Sequence, residues 1–164
     1  MKNWKKVALI IIIIFIGIQF IRPQKNLSTI LSANDISKHY FVPADVQTIL
    51  KKACYDCHSN NTIYPWYFNV QPIAWWLSSH IKNGKEHLNF SEFASYPIAR
   101  QYKKLDDIID EVKQGDMPLP VYTFEHHEAR LNNIEKEKIY NLCNSLRDTI
   151  KANYPADSLV IKKH

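Results

Sequence analysis

The stretch ACYDCHSNN, residues 53–61, constrains this chain more than any other. Two cysteines stand three positions apart and a histidine follows the second directly. On a turn of helix, residues three apart lie on one side. Cys54 and Cys57 therefore share a side, with His58 at its edge. Whatever the rest of the chain folds into must bring these three side chains to one place. Closely spaced Cys and His serve three chemistries: a zinc site, a thiol–disulfide centre, and covalent attachment of haem. Each asks for different partner residues and a different compartment.

The compartment is read from the first two dozen residues. MKNWKK is basic, VALIIIIIFIGIQFI (7–21) carries no charge, and RPQK restores charge. A basic flank before an apolar run has the pattern of an export signal, held basic side inward. The run is short against the roughly 20 residues needed to cross a bilayer's hydrocarbon, although Trp4 at the interface would extend it. No small-residue cleavage site follows, and no Cys near residue 21 offers a lipid anchor. The expectation is an uncleaved signal-anchor over 1–21, in the inner membrane, with the remainder facing the periplasm. A soluble periplasmic protein after signal cleavage is the alternative. Lys2, Lys5 and Lys6 belong to the inside flank. Setting those three aside leaves 18 of the 21 basic residues against 16 acidic ones, so the net charge of +5 is mostly topology. The chain has neither a basic helix face nor an RNA-recognition aromatic motif, and nucleic acid is not an expected partner.

Past the anchor, residues 22–42 read as a linker, 43–151 as one small domain and 152–164 as a tail. Glycine is scarce, at three residues, and four amphipathic helices argue an all-α fold. The first, 43–53, opens on Pro43 and aligns Val46, Ile49 and Leu50. A second spans about 72–84, with Ile73, Trp76, Leu77, His80 and Ile81 on one face and Gly84 as its stop. The third, 97–114, carries Ile98, Tyr102, Leu105, Ile109 and Val112 and ends before Gly115. In the fourth, 133–151, Asn132 and Glu135 form a capping box ahead of Ile139, Leu142, Cys143, Leu146 and Ile150. Four modest helices bury a small core, to which a large apolar cofactor would add.

With that frame the chemistries separate. A closed zinc site wants four ligands, and the only further cysteine is Cys143, alone on a helical stripe where it reads as a small buried hydrophobe. His80, His87, His126 and His127 lack finger spacing beside a second cysteine pair. A thioredoxin-like centre places its cysteines at a helix start beside a strand; here they follow a helix and no sheet is in view. Covalent haem fits best. Cys-x-x-Cys-His is the c-type attachment pattern, and the export signal supplies its compartment. Cys54 and Cys57 would form thioethers to one haem c, and His58 would be the proximal iron ligand.

The sixth iron position then asks for a residue. Met/His ligation raises the potential and suits electron transfer. Of two methionines, Met1 is on the wrong side of the membrane, which leaves Met117 in GDMPLPVY, where Pro118 and Pro120 stiffen the backbone. His80 is the rival. Trp66 and Trp76, from YPWYFNVQPIAWW, are candidates to wall the porphyrin. The second nitrogen of His58 should donate to a backbone carbonyl, with the loop near Pro65 as a candidate.

These stretches resemble the haem-binding domain family of small exported bacterial proteins. The likeness runs through residues 53–93, where CHSNNTIYPWY and NFSEF are its most specific parts, and through 115–143. It implies a cytochrome c-like all-α domain around one haem, with Cys54 and Cys57 as anchors, His58 as proximal ligand and Met117 as distal ligand. The expected role is membrane-tethered electron transfer with redox partner proteins in the periplasm or inner membrane, a carrier rather than an enzyme. A haem-based sensor or gas-binding module would instead need an open sixth position. A peroxidase-like enzyme would need a distal acid–base residue such as His80 or Arg100.

Overall fold

The computed structural model describes residues 3–161; Met1, Lys2 of the basic flank and His164 of the tail lie outside the described residues. Every regular element among them is helical. In chain order they are α1 (Asn3–Ile18), α2 (Ile36–His39), α3 (Ala44–Ala53), α4 (Tyr55–His58), α5 (Ile73–His87), α6 (Ile98–Gln114), α7 (Pro120–Glu125) and α8 (Asn133–Asn153), with short 3-10 segments between. The all-α expectation holds.

The central packing is α6 against α8, with α3 laid on α8. Each terminus of this group has a local cause. Pro43, with φ −54°, stands as the N-cap of α3 rather than as its first helical residue. Gly115 ends α6 at φ 84°, a left-handed conformation that favours glycine. At the start of α8 the Asn132 side chain accepts from the Glu135 N–H while Glu135 accepts from the Asn132 N–H, so the capping box forms as expected. The α8 stripe is buried throughout, and α6 buries Leu105, Ile109 and Val112. Phe93, 0% exposed, closes the layer from a 3-10 segment, with Phe90 beside it.

Helix α5 departs from expectation twice. It runs one turn past Gly84, to His87. A Cβ at residue 84 would lie 2.7 Å from the carbonyl oxygen of Cys57, so glycine is there to let α5 cross α4 closely. Its buried side is also rotated: Ala74, Leu77 and Ile81 face inward, while Ile73 and Trp76 are exposed.

The segments expected as linker and tail pack on the domain. Asp35 caps α2, Ile36 enters the core, and Tyr40 donates to Gln101. Asn26 is held by Ser59, Thr62, Tyr64 and Lys85. The Ala156–Leu159 turn lies against α6. Helix α1 has no buried residue, and among the described residues no helix is long and apolar enough to cross a membrane.

Candidate cofactor site

The chain breaks helical geometry at Cys54 (φ −128°, ψ −42°), between α3 and the single turn of α4. The N–H groups of Cys57 and His58 both return to the Cys54 carbonyl, at 3.2 and 2.9 Å. That turn is tight enough to set Cys54, Cys57 and His58 on the wall of one cavity. The two cysteines are free thiols. Burial, with Cys57 adding to it, pushes the Cys54 thiol up to about 12; burial, with Asp56 adding to it, pushes Cys57 up to about 11. Both are protonated at neutral pH, unlike the low-pKa thiolate of a disulfide-exchange centre.

His58 is oriented from behind. Its Nδ1–H donates to the carbonyl of Leu88 at 2.9 Å, just past the end of α5. A carbonyl partner is what the sequence led us to expect, but it comes from Leu88 and not from the loop near Pro65. The bond fixes the tautomer and leaves Nε2 as the basic nitrogen. Burial lowers the imidazole's proton affinity, against the pull of the Leu88 carbonyl, so the neutral, metal-binding form prevails.

The cavity has a volume of about 410 Å³ and is predominantly apolar, with Ala53, Leu88, Phe90, Ile108, Val112 and Leu119 among its walls. That volume falls in the range of roughly 300–1,000 Å³ usual for pockets that take cofactors and small molecules. Met117 also lines it. The Met117 loop is tied down at its base, because the N–H groups of Gly115, Asp116 and Met117 all converge on the Glu111 carbonyl. A few residues on, the Tyr122 hydroxyl donates to Asp56 Oδ2 at 2.8 Å, and the other oxygen of Asp56 accepts from the Ile63 N–H at 2.9 Å. Asp56, one of the two residues between the cysteines, thus clamps α7 to α4. Burial and the neighbouring Asp56 charge raise the Tyr122 pKa, which keeps it a donor. Its ring stacks on His126, whose Nε2 bonds the Tyr67 hydroxyl at 3.1 Å.

His80 lines the cavity too; its Nδ1 donates to the Trp76 carbonyl at 3.0 Å. The two tryptophans expected to wall the site do not. Trp66 is 78% exposed because its 3-10 turn directs Phe68 inward instead. Trp76, 44% exposed, reaches the site only through His80, against whose ring it lies tilted by 44°. Arg100 lies over the Tyr96 ring, donates to the Glu86 carbonyl and is not a wall of the cavity. Among the described residues, no three His, Cys, Asp or Glu side chains converge where they could share a bare metal ion. Sequence reasoning missed Asp56 and Tyr122, which lie 66 residues apart with no periodicity linking them.

Two thiols, a tautomer-fixed imidazole and a thioether around one apolar cavity in an all-helical domain define a cofactor-binding helical protein. Residues 13–145 match the haem-binding domain family, and the chain belongs to it. Haem is therefore the cofactor of the domain, and the donor set of this cavity suits it. No curated protein and no solved structure matches this chain.

Proposed function

We propose that the chain is a monohaem c-type protein that carries single electrons at the outer face of the inner membrane. Cys54 and Cys57 would hold the porphyrin as thioethers, and His58 Nε2 and Met117 would ligate its iron. Bound there, the haem supplies an iron that changes oxidation state by one electron. The protein's own part is to fix the ligands and exclude water: Leu88 holds the His58 ring, Gly84 lets α5 press on α4, and the Asp56–Tyr122 bond steadies the chain after Met117. Helix α1 serves as the membrane anchor, and redox proteins of the periplasm or inner membrane are the partners.

The observation that carries this reading is the His58 Nδ1–Leu88 bond, which leaves Nε2 free in a cavity shared with both thiols and Met117. A satisfied core histidine would have no reason for that company. The experiment is expression with a cytochrome c maturation system. The expected product is pigmented, keeps its colour through acid–acetone extraction, and weighs one haem more than the polypeptide. The ferric form should show the weak red charge-transfer band of Met-ligated iron, absent in Met117→Ala, and the ferrous form should resist carbon monoxide. Colour lost to acid–acetone would overturn the covalent assignment. A band that survives Met117→Ala would overturn the sixth ligand.

A further inference from the structure

The foot of α5 differs from the rest of the surface in charge and in contact. All 16 acidic residues of the chain lie outside residues 1–34 and 58–85, the two segments that meet there. Just past α1 the first of these segments carries Arg22 and Lys25; Lys82 and Lys85 belong to the far end of α5, where Lys82 pairs with Glu86 at 4.0 Å and Lys85 bonds Asn26. The end of α1 is fastened to this foot. Gln71 N–H donates to Gln19 Oε1 at 2.9 Å and Gln19 Nε2 donates to the Gln71 carbonyl at 3.3 Å. The carbonyl of Ile21 receives both Gln71 Nε2 and Trp75 Nε1, each at 2.9 Å. Gln71 itself is only 2% exposed, while Ile21 and Trp75 across the joint are exposed. Around it Phe20, Ile21, Ile73, Trp75 and Trp76 remain exposed, continuous with a helix of which nothing is buried.

Length turns this joint into a constraint. Sixteen helical residues rise about 24 Å, while the hydrocarbon core is about 30 Å thick. A short span thins the bilayer or draws its flanks into the interface. The flank here is bonded to the domain, so the domain's foot is drawn in with it. Tryptophan favours that layer, and Arg22 and Lys25, directly after α1, complement anionic headgroups.

We propose that the domain is seated on the membrane and does not swing from it, with Phe20, Ile21, Ile73, Trp75 and Trp76 bedded in the headgroup layer of an anionic bilayer. This rests on the reading of α1 as an anchor. His80 of the cavity wall lies seven residues along α5 from Ile73, about 10 Å. The cavity is thereby held close to the bilayer, and redox partners approach it along the membrane plane.

The test uses the full-length holoprotein in oriented multilayers of phosphatidylethanolamine and phosphatidylglycerol, read by linear dichroism of the haem absorption. Colour in the pelleted membranes reports cofactor and anchor before any dichroism is measured. A seated domain gives a dichroic band. The Phe20→Ser/Ile73→Ser variant should keep the isotropic solution spectrum, which shows an intact site, and lose the dichroism. An isotropic band from pigmented, membrane-bound wild type overturns the seating and leaves the anchor standing, and so does dichroism unchanged in the double variant. Pigmented protein left in the supernatant overturns anchor and seating together.

Discussion

The part of the domain built on α3, α6 and α8 and the part built on α4, α5 and α7 are held by different forces. In the first, fourteen buried side chains from Ile36 to Ile150 form one cluster. The second has a cluster of four, Phe68, Ala74, Leu77 and Ile81, and is otherwise joined by single hydrogen bonds such as Tyr122–Asp56 and His58–Leu88. Burying one large apolar side chain contributes about 1.5–3 kcal/mol, whereas one hydrogen bond nets about 0.5–1.5 kcal/mol. Stability is therefore concentrated on one side and cofactor geometry on the other, and variants should separate the two.

The largest effect is expected from Phe93→Ala, which empties a fully buried ring site and should cost about 3–5 kcal/mol in urea unfolding. Leu77→Ala, in the four-residue cluster, should cost less than half as much, since fewer neighbours surround the void. Equal costs would break the comparison.

Gly84→Ala tests the seam between the two parts. The new methyl meets the Cys57 carbonyl at 2.7 Å, so α4 or α5 must shift, at about 1–3 kcal/mol. Because the shift falls on the attachment turn, the yield of covalently loaded protein should drop several-fold. Gly115→Ala is the contrast: it strains a left-handed residue with open space around it, lowers stability by about 1 kcal/mol and should leave haem loading unchanged. Similar loading in both variants would mean that Gly84 has no special place at the site.

The same division explains what could be read from sequence. Apolar periodicity reports burial, so the α6 and α8 stripes and the caps at Gly115 and Asn132 were legible. So was the turn that brings Cys54, Cys57 and His58 to one cavity wall, because the three lie within residues 54–58 of the chain. Spacing alone does not orient α5, because exposed Ile73 and Trp76 share the spacing of buried Leu77 and Ile81. Ring size makes Trp66 a candidate for the site, and size says nothing of direction on a 3-10 turn. The Leu88 carbonyl and the Asp56–Tyr122 clamp were invisible for a different reason. Backbone carbonyls carry no sequence signal, and a bond across 66 residues exists only once the helices are packed.

Tyr122→Phe sharpens the comparison from the site side. It removes the hydroxyl that joins α7 to α4 while leaving the ring stacked on His126, for about 1 kcal/mol of stability. The spectroscopic effect should exceed the thermodynamic one. With the chain after Met117 less restrained, the charge-transfer band of the ferric protein should weaken and yield at a lower pH than in wild type. An unaltered band with a lowered melting temperature would make Tyr122 a structural residue only.

The smallest effect belongs to the other part, at the start of α8. Burial works against ionisation of Glu135, but Lys52, the Asn132 N–H and Lys138 override it and hold its carboxyl below the usual range. A folded-state value below the unfolded one of about 4.3 gives a stabilisation that is fully present above that pH. It fades as pH falls through the folded-state value. Glu135→Gln keeps the shape and loses the charge, so it should cost under about 1 kcal/mol at neutral pH. Urea titrations of wild type and variant should converge when repeated at progressively lower pH, as the Glu135 carboxylate is protonated in the folded protein. A gap that persists in acid would mean that packing, and not charge, is what Glu135 contributes. Haem loading should be the same in both proteins, because the α8 start shares no hydrogen bond with the cavity wall.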